Sequence, residues 1–447
     1  IMKFDLYCTR PVFKDGQLID IENGKLAYDN MTSELVNSDG QIIRFGEDKH
    51  LHKSDHQAFR TSEQTPASKS SSIRTLKIQL GLSCNYSCTY CSQRFVPNAP
   101  ETNNSFVDKF LSNMDLWCKS EPQQIEFWGG EPFVYWKTLK PLAEQLREKF
   151  PKAKFLIITN GSILTEEIID WIEKLDIHVG ISHDGPGQFV RGPDPLDDPK
   201  QKEIILSLFK RRPDKVSFNS VLNKHNIDRK KIQDFFQNLL QTENFVIGEG
   251  GFIDAYDEGG IETSLTTHED HIALRKLTAH QLRENKISNF TVVNKRMKEW
   301  YDSILSQRSA ECLGQKCGMD RQDTISVDLR GNILTCQNVS AVSTAPNGRS
   351  HLIGHVSNIN KARLTTATHW SFREECTKCP VLQACKGSCM FLQKDLFKKS
   401  CDNAYSDHIP FMAIAIEQMT GWLPYRIQAH EDFLPEDRMN IWGFSNV

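Results

Sequence analysis

From residue 73 onward, apolar and polar positions follow two alternating periods. Short runs rich in β-branched and aromatic residues cover 76–80, 124–128, 154–159, 177–182, 215–222 and 245–253 and predict strands. Between them, apolar residues return every three or four positions over 105–118, 136–150, 166–175, 201–211 and 229–240, which predicts helices. Strands separated by helices in this way imply a parallel sheet with helices outside it, either a partial barrel or a doubly wound sheet. In both architectures, chemistry gathers on the loops at the C-terminal strand ends. Two further helices are predicted at 267–285 and 291–307, a hairpin at DLRGN (328–332) and a helical patch at 410–420. The first fifty residues read instead as short β segments, KFDLYC, QLIDIENG, KLAYDN and QIIRFG, with turns at Asp15-Gly16, Asn23-Gly24 and Asp39-Gly40. The polar stretch 50–72 (ending SEQTPASKSSS) reads as a linker.

Composition narrows the class. The chain has 447 residues, 39 % hydrophobic and 25 % charged, with a mean hydropathy of −0.47. That is the profile of a folded, water-soluble protein of two or three domains. Lys and Arg total 54 against 57 Asp and Glu, so no basic field invites nucleic acid. No apolar run reaches the roughly 18 residues of a membrane span. A secretory pattern is missing at the N-terminus, and the expected location is the cytoplasm, with no membrane partner.

Thirteen cysteines change this ordinary picture, because eleven of them cluster. Cys84, Cys88 and Cys91 form CNYSCTYC immediately after the first predicted strand of the alternating region. Cys312, Cys317, Cys336, Cys376, Cys379, Cys385, Cys389 and Cys401 form a second group. Clustered thiols in a large intracellular chain point to metal or cluster ligation more than to disulfides. A structural zinc needs four ligands, and the first group offers three with no nearby fourth Cys or His. Three thiolates on a cubane leave one iron open to a small molecule. A pair of zinc sites remains the competing reading of the second group, since Cys376-x-x-Cys379 suits zinc.

The CxxxCxxC spacing resembles that of the radical S-adenosylmethionine (SAM) enzyme superfamily. Tyr90 falls at that family's aromatic position, and Gly129-Gly130-Glu131-Pro132 after the second strand matches its GGEP motif. The resemblance implies cofactor contacts for Tyr90, Gly129, Gly130, Glu131 and Pro132. It extends to Ser182 at the fourth strand end and to Arg191 beyond it, although Arg191, like Asp184 and Asn219, reads equally well as a turn or core position. It further implies that reduced flavodoxin or ferredoxin supplies an electron, that SAM splits, and that a 5′-deoxyadenosyl radical removes a hydrogen atom from an unactivated carbon.

The second group is similar to the SPASM domain found behind such cores in peptide- and protein-modifying enzymes. By that resemblance, Cys312, Cys317, Cys336 and Cys389 hold one auxiliary [4Fe–4S] cluster, and Cys376, Cys379, Cys385 and Cys401 hold another. Three clusters and SAM are then the cofactors. The implied architecture is α/β, a partial (β/α)6 TIM-type barrel. Its divisions are an N-terminal β-rich segment and linker (1–72), a radical SAM core (73–308), a Cys-rich SPASM domain (309–410), and a C-terminal helix and tail (411–447).

Within this class the expected substrate is a ribosomally made precursor peptide, closed by an oxidative intramolecular C–C or ether cross-link, for example a cyclophane. Epimerisation, thioether formation and protein-residue oxidation use the same motifs. A zinc-stapled binding protein is the reading outside the class. In sulfatase-maturating relatives an Asp follows the third cysteine of the first auxiliary set. Here Gln337 stands there, and an amide cannot take a proton at neutral pH. Asp320 and Asp328 lie close enough in sequence to be candidate bases. The N-terminal segment lacks the helices of a winged-helix leader-binding module, so its strands are expected to pair with an extended peptide. His351 and His355 are four apart, but Gly354 and β-like neighbours argue against a helical metal pair. His268 and His271 read as solvated, Cys8 and Cys118 as small apolar fillers, and the Asn30 and Asn85 sequons as irrelevant to an intracellular chain.

Overall fold

A computed structural model describes residues 3–44, 60–431 and 434–443. The N-terminal segment is one long hairpin, β1 (Phe4–Lys14) and β2 (Gln17–Tyr28), followed by the short β3 (Leu35–Val36). Asp15 and Gly16 turn it with φ of 50° and 78°, the two left-handed positions of a tight two-residue turn. Asn23-Gly24 does not turn the chain, because it lies inside β2. The glycine answers to packing: a Cβ on Gly24 would stand 2.7 Å from the Trp422 ring. Of the expected segment QIIRFG only an isolated bridge at Ile42 is formed, and its last residues lie outside the described ones.

The barrel strands are β4 (Thr75–Gln79), β5 (Gln124–Trp128), β6 (Lys154–Thr159), β7 (Ile177–Ser182) and β8 (Val216–Asn219), paired in parallel and in chain order. The helices between them fall where the 3.6-residue period predicts, several opened by an Asp or Thr cap such as Thr165, Asp198 and Asp228. The sixth expected strand, 245–253, is reduced to bridges at Ile247 and Phe252; Gly248, Gly250 and Gly251 deprive it of side chains to pack. The sheet grows instead at its other edge. There β9 (Thr324–Asp328) pairs in parallel with β4, and β10 (Asn332–Leu334) and β11 (Leu352–His355) continue it antiparallel. Alternation of side chains gives the sheet two unlike faces. Leu76, Ile78, Ile125, Phe127, Phe155, Ile157, Val179 and Ile181 are buried in the main core under the helices. The inner face carries Lys77, Gln79, Glu126, Trp128, Ser182 and Asn219.

Two boundaries expected from sequence give way to packing. Residues 50–59 of the expected linker lie outside the described residues, but residues 60–72 are no free tether. The Lys69 ammonium is buried and donates to the carbonyls of Met319, Arg321 and Thr324 at 2.6, 2.9 and 3.0 Å. The tail is likewise not separate: β12 (Leu423–Ala429) pairs antiparallel with β1, in the order β12-β1-β2-β3. The helical patch at 410–420 is the end of a 27-residue helix, Lys394–Thr420, stopped by Gly421 at φ 81°. Among the described residues no helix is long and apolar enough to cross a membrane.

Candidate active site

The loops at the C-terminal ends of β4 to β8 bring the first cysteine group, the GGEP turn and the β7 end together. Within 84–91 the backbone N–H of Cys91 donates to the Cys88 carbonyl at 3.0 Å, closing a tight turn. The thiols of Cys84 and Cys91 accept from the N–H groups of Tyr86 (3.3 Å) and Gln93 (3.4 Å). Burial raises the Cys84 thiol, opposed by the Tyr86 N–H, which favours thiolate, the ligating form. Burial likewise pushes the Cys88 thiol up to about 11, with the Arg191 guanidinium opposing the shift. Thiols so placed gain from bonding to a cationic iron centre.

The GGEP turn is locked onto the root of this loop. Gly130 N–H donates to the Gly81 carbonyl (3.1 Å) and Glu131 N–H to that of Ser83 (3.0 Å). A Cβ on Gly130 would lie 2.3 Å from the Ser83 carbonyl oxygen, backbone that cannot step aside. Pro132 opens a short 3₁₀ turn, Pro132–Tyr135. The buried Glu131 carboxylate accepts from Phe133 N–H (3.2 Å), the Thr159 hydroxyl (2.7 Å) and Asn160 N–H (2.7 Å), tying the ends of β5 and β6 together. Burial raises its pKa, opposed by those donors. One acceptor direction of the carboxylate is left over. Ser182 ends β7 half-buried, with no hydrogen bond from its hydroxyl among the described residues.

Tyr90, Asp184 and Arg191 form a connected network. The Tyr90 hydroxyl donates to Asp184 and accepts from Arg191 Nη1 at 3.0 Å, and Arg191 lies 3.9 Å from the Asp184 carboxylate. Asp184 also accepts from Val221 N–H at 3.1 Å. Arg191, expected beside a SAM carboxylate, is thus partly engaged by Asp184, while its Nε is buried without a partner. Asn219 is flanked by two glycines: a Cβ on Gly180 or Gly248 would lie 2.6 or 2.3 Å from its amide.

The second cysteine group divides between two spaces. Cys376, Cys379, Cys385 and Cys401 all line one of about 30 Å³, together with Tyr405 and Arg438. Cys312, Cys317, Cys336 and Cys389 line a larger cleft of about 880 Å³, which Cys385 also borders. Gln315 holds the first of these loops in place, its amide donating to the Ser388 carbonyl at 2.7 Å and accepting from Trp370 N–H at 3.0 Å. Burial pushes the thiols of Cys336 and Cys385 up to about 12. Among the described residues no three Cys, His, Asp or Glu converge as a single ion requires. The donors are soft thiols, the ligand type that sulfur-ligated clusters use.

The turn after β2 grips this region. Asn30 donates from its amide to the carbonyls of Thr377 (3.0 Å) and Cys379 (2.8 Å), and Ala310 N–H donates to the Met31 carbonyl (2.7 Å). Of the two candidate bases, Asp328 is committed to the β9–β10 hairpin, accepting from Arg330 N–H, Asn332 N–H and the Asn332 amide at 2.9, 3.0 and 2.8 Å. Asp320 is buried, accepting from Gln315 N–H (3.0 Å) with His369 at 3.8 Å. Sequence reasoning missed Lys77 and Glu126, which pair on the inner face at 3.7 Å, with Lys77 donating to the Gln337 amide oxygen at 3.3 Å. A charged residue at the centre of each of two adjacent apolar strands was the available signal.

With this geometry in place, comparison with known proteins decides the class. Residues 78–236 match the radical SAM superfamily. The chain carries a radical SAM domain. Such a domain works with SAM and a [4Fe–4S] cluster, and the three thiols on the β4 loop and the glycine-lined turn beside them fit both. The radical SAM cyclopropyl synthase TigE of Paramaledivibacter caminithermalis is 22% identical over 401 residues, 84% of this chain and 80% of that one. The serine-type anaerobic sulfatase-maturating enzyme of Bacteroides thetaiotaomicron is 19% identical over 409 residues, 82% and 92% of the two chains. The solved structure of anSMEcpe with bound AdoMet superposes with a TM-score of 0.55 at 19% identity, over 77% of this chain and 99% of that one. At that identity the likeness establishes the shared fold.

Proposed function

We propose that this chain is a radical SAM enzyme with two auxiliary clusters that closes an oxidative intramolecular cross-link in a ribosomally made peptide. The observation that carries this reading is the division of the second cysteine group between two adjoining spaces that share Cys385, beside a barrel whose first loop presents three thiols. Cys84, Cys88 and Cys91 would hold the SAM-binding cluster. Cys312, Cys317, Cys336 and Cys389, and Cys376, Cys379, Cys385 and Cys401, would hold the others. Bound SAM on a reduced cluster supplies hydrogen-atom abstraction from an unactivated carbon. The chain's own residues would orient and seal: the GGEP backbone and Ser182 would bind SAM, and the Tyr90–Asp184–Arg191 network ties the cysteine loop to the end of β7.

An enzyme named for forming a cyclopropyl group is among the relatives, and another anSMEcpe structure holds AdoMet together with a peptide. The first favours a new carbon–carbon bond and the second a peptide substrate. Sulfatase maturation fits less well, since Gln337 accepts from Lys77 where a carboxylate base would be needed. A flavodoxin or ferredoxin donor and a cytoplasmic location follow from the same reading.

The test is anaerobic incubation of the iron-loaded protein with SAM, a reductant and the small peptides encoded beside its gene, followed by mass spectrometry. Loss of two hydrogen atoms from one peptide, with matching deoxyadenosine, is the expected result. Deoxyadenosine without a mass change, but with deuterium uptake from heavy water, would replace cross-linking by epimerisation. Full iron loading without any deoxyadenosine would sink the proposal.

A further inference from the structure

A third cavity, of about 270 Å³, lies where three cysteine-bearing loops meet. Phe95 and Val96 come from the loop that follows Cys91, Ala345 and Pro346 from the chain beyond Cys336, and Phe391 from just after Cys389. Gln93 and Asn338 bolt the first two walls together, amide to amide, at 2.9 Å. Tyr256 and Phe391 line both this cavity and the larger cysteine-lined cleft, so the two spaces adjoin across these rings. Its lining sets apolar walls beside polar groups from Ser92, Asp257, Ser343, Thr344 and His351, the mixture of a small-ligand site.

One polar group in it is unexplained. His351 lines the cavity yet is 3 % exposed, and its ring makes no hydrogen bond among the described residues. Nδ1 is sealed from solvent without a partner. Phe391 packs edge-on against the imidazole, centroids 4.9 Å apart at 74°, and Tyr256 lies 6.1 Å beyond Phe391. Burial lowers the imidazole pKa to about 4, so the ring is neutral and offers one donor and one acceptor. A buried group left unsatisfied beside apolar walls calls for a ligand that satisfies it.

We infer that this cavity is the side-chain subsite for the peptide and takes an aromatic residue with a hydrogen-bonding tip, whose hydroxyl meets His351. The flat body of such a residue suits walls already built from rings, and edge-to-face packing rewards it. Its polar tip supplies the partner that His351 lacks, so His351 determines specificity. This rests on the peptide-modifying reading, but it is tested by binding alone.

The probe is a set of capped pentapeptides, acetyl-Gly-Gly-X-Gly-Gly-amide with X as Tyr, Phe, Leu or Ala, titrated calorimetrically into the anaerobic, iron-loaded full chain with SAM bound. The Tyr peptide should bind about tenfold more tightly than the Phe peptide, and Ala most weakly. In His351→Phe the preference for Tyr over Phe should vanish while Phe binding persists. Val96→Trp should weaken every aromatic peptide more than tenfold, with iron content and SAM binding unchanged. Equal affinities across the four peptides, no binding of any, or a Tyr preference that survives His351→Phe overturns the inference. Failure of the wider functional reading would show separately, as absence of deoxyadenosine from the same preparation.

Discussion

Strands β4 to β8 bury a continuous row of Leu, Ile, Phe and Val beneath their helices, and the barrel belongs to one large apolar core. Around the second cysteine group, a separate small cluster is built among the described residues from Ala310, Leu313, Trp370, Cys376, Leu382, Leu392 and Phe397, while Met319, Val381 and Met390 join the main core. That region relies on side chains reaching main chain instead. Arg373 donates to the carbonyls of Met390 and Leu392 at 2.7 and 2.8 Å, Gln315 to Ser388, and Asn30 to Thr377 and Cys379. A small core does little to offset the conformational entropy of so much irregular chain, so on the proposed reading metal ligation would contribute to folding there and not in the barrel. The barrel would then be a scaffold that positions a cluster, whereas the cysteine-rich region would need its clusters in order to be a scaffold.

The sharpest way to separate the two is through the first cysteine group. Changing Cys84, Cys88 and Cys91 together to Ala should reduce deoxyadenosine formation to background while the protein keeps roughly two-thirds of its iron, about eight of twelve atoms. Retained SAM cleavage would refute the assignment of this loop. Stripping all iron with an anaerobic chelator should act the other way round. Amide exchange should accelerate at least about a hundredfold between residues 368 and 392, yet change little in β4 to β8 and in β9, which pairs with β4. Equal loss of protection in both regions would erase the contrast.

A smaller effect tests the joint between them. Asp407, on the long helix Lys394–Thr420, pairs with Arg229 and, at 2.8 Å, with Arg296, and accepts from Phe252 N–H at 2.8 Å. Asp407→Ala leaves two buried guanidinium groups uncompensated, and thermal or denaturant unfolding should show a loss of about 3–5 kcal/mol. The two arginines overcome the cost of burial and hold this carboxyl well below its usual range. Its contribution is therefore complete above about pH 4 and is lost only as pH falls toward the depressed value. A wild-type stability loss attributable to this residue between pH 5 and 7, absent from the variant, would contradict that. The smallest change is Gly24→Val, which sets a side chain against the Trp422 ring. About 1–3 kcal/mol should be lost and β12 should loosen from β1, read as faster exchange at 423–429, with deoxyadenosine formation per folded molecule unchanged.

Local signals carried the barrel. Periods of two and 3.6 marked its strands and helices, and CxxxCxxC followed by GGEP announced the cofactor chemistry, because ligation by one short loop is written in consecutive residues. The Asp15-Gly16 turn was equally legible, but Asn23-Gly24 misled: the same dipeptide serves a turn in one place and, in the other, a ring packed from four hundred residues away. Nothing local marks Lys69 as the plug of three carbonyls near β9, or the polar 60–72 stretch as packed chain. His351 looked expendable for want of a helical partner. Its place in a cavity depends on loops that start from three different cysteines.

Sequence alone determined the class of this protein, the order of its strands and helices, and which thiols are available, since each depends on residue type and short spacing. Tertiary structure decided the rest. It joined the two chain ends in one sheet, divided eight thiols between two adjoining spaces, and paired Lys77 with Glu126 across adjacent strands. It also left one neutral histidine unpartnered in a cavity. Those outcomes arise from contacts between residues far apart in the chain, where packing and hydrogen-bond satisfaction govern rather than local preference.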